Sequence, residues 1–201
     1  MLTHPLLPKL RQLKLSGMLQ TLELRSQQAV ERQLAPIEFL ALLLDDELER
    51  RSQQRLAFIP RHENILICGP SGVGKSHLAN ALAIEALKRD FRVLARPTHR
   101  LLGDLHAARA NGTHARLFAR ILGCHLLSLD DFGLQALSPQ AVQDLYEIIT
   151  ERYEHGSVIV TSNRAFEEWA EVFNNDLLAS AALDRLTHHA HTLVIRGESY
   201  R

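Results

Sequence analysis

The sequence predicts an α/β domain, a parallel sheet flanked by helices, preceded by a small helical region. Three observations carry this. Asn64–Cys68 is a short apolar run, the stretch after it is glycine-rich, and His77–Arg89 has strongly helical composition. A second apolar run, Leu126–Leu129, ends in the paired carboxylates Asp130 and Asp131. A third, Ser157–Val160, ends in the polar residues Thr161, Ser162 and Asn163. Helical patterns separate the three runs, as they do in α/β folds.

The elements follow in order. Over residues 1–57, Leu6, Leu7, Leu10, Leu13, Leu15, Met18, Leu19 and Leu22 fall at helical spacing, and Gly17 weakens that helix without breaking it. A polar stretch, Ser26–Gln33, then leads to Pro36, a suitable first helical residue. Ile37, Phe39, Leu40, Leu43, Leu44 and Leu48 give the second helix an apolar face. Such a helical hairpin packs on the core or docks a partner. Pro60 breaks a short link at 58–63. Phe91–Ala95 is the next expected strand, ended by Pro97, with Thr98 as the cap of a helix that stops at Asn111–Gly112. A short helix runs from His114 to Leu122. Ser138 and Pro139 start another, which stops at Gly156 as its C′ residue. Helices over Phe166–Phe173 and Asp176–Thr187 precede a last strand at Thr192–Ile195.

The chemistry centres on Gly69-Pro70-Ser71-Gly72-Val73-Gly74-Lys75-Ser76, which reads G-x-x-x-x-G-K-S. Its glycines let the backbone curl so that successive N–H groups face a polyphosphate, and the following helix adds its positive dipole end. Lys75 is placed to reach the β- and γ-phosphates, and the Ser76 hydroxyl to coordinate Mg²⁺. A buried parallel strand delivers its last residues to the ligand crevice. Asp130 is thereby expected to hold the Mg²⁺, and Asp131 to orient or deprotonate the attacking water. Asn163 stands where an amide can contact the γ-phosphate or that water.

Composition narrows the rest. The 201 residues suffice for one α/β core with a small appendage. The formal charge is zero, which excludes a global field toward nucleic acid or membrane. Charge is uneven by region: Lys88–Arg120 holds eight Lys/Arg against two acids. A phosphate-tracking surface is expected there, with Arg109, Arg116 and Arg120 as candidate DNA contacts. Cys68 and Cys124 read as small buried hydrophobes. His188, His189 and His191 cluster in sequence but lack an acidic or Cys partner at ligand spacing, so a solvated loop is expected. No apolar run is long enough to span a bilayer and no signal-peptide pattern is present, so a cytoplasmic location is expected.

Taken together, G-P-S-G-V-G-K-S-H-L-A-N-A-L, L-L-S-L-D-D-F-G, I-V-T-S-N, A-A-L-D-R-L and the terminal G-E-S-Y-R resemble IstB-type transposition helper ATPases. These are AAA+ proteins related to the DnaC helicase loader. The N-terminal P-L-L-P-K-L-R-Q-L-K-L-S-G-M-L-Q-T-L is similar to that family's helical N-terminal domain. The resemblance implies an N-terminal domain at 1–57 and an AAA+-like P-loop ATPase domain at 58–201 without a full lid. It implies strand order 5-1-4-3-2. It implies ATP and Mg²⁺ as cofactors, a homo-oligomer on duplex DNA, and an IstA-type transposase as partner; the alternatives are a helicase-loader-like ATP-switched adaptor and a degenerate DNA-binding remnant with poor turnover. By it Asp130 and Asp131 are the Walker B pair, Asn163 is sensor 1, and Arg185 is the arginine finger that reaches a neighbouring subunit. One departure stands out. Family members carry several dozen more residues between the N-terminal helices and the P-loop strand, where here only 52–63 intervene, which bears on the adenine pocket.

Overall fold

The computed structural model describes residues 5–199, which form two compact units divided between Ala57 and Phe58.

The first unit holds α1 (Leu6–Gln12), α2 (Ser16–Glu31) and α3 (Pro36–Arg55). The single leucine-rich helix expected over 6–22 is two helices, because Lys14 turns into the left-handed region at φ 56°. The polar stretch that leads to Pro36 is itself helical as far as Glu31, since nothing in Ser26–Gln33 breaks a helix before Gln33 takes φ 51°. Pro36 is the first residue of α3, and the Glu38 carboxylate accepts the Ala35 N–H at 2.8 Å. Met18, Leu22 and Leu43 form the small core. Gly17 lets α2 and α3 close: a Cβ there would stand 2.8 Å from the Asp46 carbonyl oxygen. Its N–H donates to the buried Glu47 carboxylate at 2.6 Å, and Arg50 and Arg51 both bind that carboxylate at 2.7 Å. Arg50 foremost holds the Glu47 carboxyl down to about 2.

The second unit is a five-stranded sheet of β1 (Asn64–Cys68), β2 (Val93–Pro97), β3 (Leu126–Phe132), β4 (Ser157–Ser162) and β5 (Ala190–Val194). Its order is β2-β3-β4-β1-β5 and every pair is parallel. That is the 5-1-4-3-2 order implied by the resemblance. Helices α4 (Lys75–Leu87), α5 (Thr98–Ala110), α6 (His114–Leu122), α7 (Pro139–Arg152), α8 (Trp169–Phe173) and α9 (Asp176–His188) fill the crossovers. β1 and β4 are buried throughout, which is why they read as unbroken apolar runs. Leu66, Leu127, Ile148, Trp169 and Ala182 sit at the centre of the core.

Some local expectations are corrected. Thr98 does not cap α5: its hydroxyl donates to the Asp130 carbonyl at 2.9 Å, tying α5 to β3 instead. Ser138 does cap α7, accepting from Ala141 N–H at 3.3 Å. Gly156 is not the left-handed residue after α7; Glu154 is, at φ 59°. What Gly156 provides is space, since a Cβ there would lie 2.6 Å from Nη2 of Arg152.

Candidate nucleotide-binding site

The loop between β1 and α4 has the backbone that its glycines permit. Gly69, Gly72 and Gly74 have φ of 152°, 82° and 93°, values strained for any other residue. Gly74 caps α4, so the helix begins at Lys75, two residues before the composition indicated. The first-turn amides of α4 have no intrahelical acceptor and stand ready for an anion. Two glycines also meet the C-terminal segment: a Cβ on Gly69 would strike the Ile195 carbonyl, and one on Gly72 the Ser199 side chain.

Lys75 is only 6% exposed. Its ammonium donates to the Pro70 carbonyl at 2.7 Å and to Oδ1 of Asn163 at 2.6 Å. Burial pushes it below the ordinary lysine range, against the pull of Asp131 and Asp130. The Ser76 hydroxyl donates to Oδ1 of Asp130 at 2.8 Å, and the Thr161 hydroxyl donates to the same oxygen. Thus α4, β3 and β4 bring Lys75, Ser76, Asp130 and Asn163 to one point at the C-terminal ends of the strands. Asp131 stands next to them on an irregularity: the β3–β4 register shifts between Leu129 and Phe132, and Asp131 takes φ 54°. Its N–H donates to Oγ1 of Thr161 at 3.2 Å. Such a bulge re-aims a side chain that strict alternation would turn away. A cleft of about 790 Å³ opens beside the loop, lined by Gly69, Pro70, Asn163, Phe166, Val194 and Ile195.

Residues 54–201 match the family model described as IstB-like ATP binding protein. The chain belongs to that family. It is 37% identical to the insertion sequence ATP-binding protein y4pL of Sinorhizobium fredii, with 100% of this chain and 97% of that one covered. It is 41% identical to the IS21 ATP-binding protein of Pseudomonas aeruginosa over 73% of this chain and 55% of that one. The y4pL alignment runs over 238 positions against 201 residues here, so at least 37 positions of that relative have no counterpart. Among solved structures, the DnaC helicase loader matches at TM-score 0.57 and 24% identity over 74% of this chain and 89% of that one. DnaI matches at TM-score 0.63 and 23% identity, over 73% and 82%. These likenesses are of fold.

This IstB-like chain therefore binds ATP and has the AAA+ sheet. The structure keeps other candidates apart from the phosphate site. Arg185, on α9, donates to the Ala181 carbonyl at 2.8 Å and lies 5.9 Å from the Tyr146 ring centroid. Arg109 forms an ion pair with Asp144, whose side chain is 1% exposed, so its charge is matched within the protein. Lys88 pairs with Glu85 at 2.6 Å, and Arg92 donates to the Gly123 carbonyl at 2.9 Å. Arg116 and Arg120 are exposed on α6. Tyr200 and Arg201, the end of the G-E-S-Y-R pattern, lie outside the described residues. Among the described residues, no helix is long and apolar enough to cross a membrane.

Sequence reasoning gave Thr98 another role and missed Thr161. Both fix Asp130, one through its carbonyl and one through its carboxylate. The only signal for Thr161 was its place two residues before Asn163 on a strand ending in polar residues.

Proposed function

We propose that this protein is an ATP-hydrolysing helper of insertion-sequence transposition that assembles on duplex DNA and activates a partner transposase. The observation that carries the reading is the convergence of Lys75, Ser76, Asp130 and Asn163 in a chain whose relatives are insertion sequence ATP-binding proteins. In it, Gly69–Ser76 wraps the triphosphate, and Lys75 exchanges the Asn163 and Pro70 oxygens for phosphate oxygens. Ser76 and Asp130 already touch, and together they fit a Mg²⁺ ion, which would neutralise charge on the phosphates. Asp131, lifted by the bulge, orients or deprotonates the water. Asn163, freed from Lys75, turns to the γ-phosphate. The 790 Å³ cleft is large enough for a nucleobase and ribose, which offsets the short link before β1.

Arg185 acts in trans, completing the site of a neighbouring subunit, and such a residue is worth about 10³–10⁵ in rate. DNA runs along α6, where Arg116 and Arg120 contact phosphates. Arg109 positions α5 against α7 rather than touching DNA.

The test is ATP hydrolysis by the full chain with and without duplex DNA. We expect DNA to stimulate it, and mixtures of Arg185→Ala with Asp131→Ala subunits to regain activity that neither variant has alone. Changing Arg116 and Arg120 to Gln should lower the salt slope of DNA binding by about 2, one for each phosphate no longer neutralised. Tight ATP binding with no turnover under any condition would leave a nucleotide-switched adaptor instead.

A further inference from the structure

Away from the phosphate site, the turn after α7 meets the end of α9. The histidines expected to lie in a solvated loop have an acidic partner after all, 34 residues away in sequence, and it is Glu154. His191 does not join them: it pairs with Glu63 at 2.9 Å. His188 is the last residue of α9, and His189 leaves the helix at φ −128°, ψ 62°. That exit lets two consecutive rings meet, with centroids 4.1 Å apart and planes at 62°. Glu154 reaches them from its left-handed turn, and one ligand atom from each of the three residues lies within 4.8 Å of the other two.

We propose that Glu154, His188 and His189 form a binding site for a divalent transition metal ion, with Zn²⁺ the best match. Two imidazoles and a carboxylate are a common three-ligand set for Zn²⁺, with water in the fourth position. Bond lengths of about 2.0–2.2 Å put tetrahedral ligands about 3.3–3.5 Å apart, so small rotations of exposed side chains close the set. A second contact points the same way. The Tyr153 hydroxyl lies 2.8 Å from Nδ1 of His188. With Nδ1–H donated to that hydroxyl, Nε2 of His188 presents its lone pair, the outer-shell arrangement by which proteins orient a ligating histidine. A bound ion would pin the exit of α7 to the end of α9, the helix that carries Arg185.

The test uses untagged full-length protein, stripped with chelator and titrated with ZnCl₂ against a competing chromophoric chelator. We expect saturable binding of one ion per chain. The triple variant Glu154→Gln, His188→Ala, His189→Ala should lose it while keeping its ATP affinity, which shows that it is folded. Tyr153→Phe should weaken binding about tenfold or more, the usual scale for an outer-shell partner. His191→Ala should bind as the parent does. Undiminished binding by the triple variant, equal loss in His191→Ala, or no saturable binding in the micromolar range would each overturn the assignment.

Discussion

At the C-terminal ends of the strands the buried cation is Lys75; at the N-terminal ends it is Arg152, only 2% exposed. Arg152 is held by backbone. It donates to the carbonyls of Ile121 at 2.8 Å, Cys124 at 2.9 Å, His125 at 3.3 Å and Ser157 at 2.8 Å. These belong to the end of α6, the turn before β3 and the first residue of β4, so the guanidinium ties two strand starts together. Lys75 is held by one carbonyl and one side-chain amide, with two carboxylates close enough to pull on it. Burial pushes both cations toward deprotonation. The difference lies in what can replace their partners. Arg152 has no better acceptor to move to, whereas a triphosphate offers Lys75 one. A buried cation bound to fixed backbone is structural, and one bound to exchangeable groups beside a glycine loop awaits a ligand.

The largest expected effect is on stability at the Arg152 end. Arg152→Met takes a donor from four carbonyls, of which Ile121 keeps the Cys124 thiol and His125 keeps the Ser157 N–H; at about 1–3 kcal/mol for each group left unpaired, a loss of at least about 2 kcal/mol is expected. Urea unfolding followed by circular dichroism measures it. ATP affinity of the folded fraction should not change. A loss under about 1 kcal/mol would remove the contrast.

Lys75→Ala should do the reverse. It removes a charge-assisted contact to phosphate worth about 1.5–3 kcal/mol, roughly a 10- to 150-fold loss of ATP affinity. Calorimetric titration reads that directly. Unfolding should show no loss of stability, because the lysine is under strain from burial when no anion is bound. Equal ATP affinities would break the functional half of the comparison.

Gly156 sharpens the structural half. Its missing Cβ is what admits the Arg152 guanidinium, pinned by carbonyls and unable to retreat. Gly156→Ala should cost about 1–2 kcal/mol by overpacking. In an Arg152→Met background the cost should shrink, and a double-mutant cycle in urea would show the coupling.

These two ends were not equally legible in the sequence. The P-loop announces itself because glycines, lysine and serine must be contiguous to wrap a phosphate, and the strands ending in Asp130 and Asn163 carry their polarity at one end. The strand order came from the family resemblance, since spacing does not encode it. Arg152 was invisible: on a helix rich in charged residues, an arginine that folds back onto carbonyls looks like one that points to water. The ion pair of Arg109 was hidden for a related reason, because its buried partner Asp144 lies on another helix. The bulge at Asp131 and the left-handed turn at Lys14 reflect packing, and neither position carries the glycine that would have signalled it. Glu154 joins His188 and His189 only because the parallel crossovers bring the exit of α7 to the end of α9. Contacts of that separation need the fold before they can be seen.

The smallest effect is a fraction of a proton, and it tests the state of Lys75 itself. Burial holds its folded pKa below that of the unfolded chain. Between the two values the unfolded state binds more protons, so this group makes stability rise with pH across that window. Below the folded value the charged lysine costs stability in full. Lys75→Met should therefore raise the melting temperature slightly at neutral pH and flatten the rise on the alkaline side. A triphosphate at the loop favours the charged form and raises the value again. ATP binding should then take up protons at alkaline pH, where the nucleotide itself is fully ionised, and take up none at this group near neutrality. Calorimetry in buffers of different ionisation enthalpy measures the uptake as a slope. The slope should vanish in Lys75→Met. If it persists there, the proton belongs to another group and Lys75 is already fully charged before the nucleotide arrives.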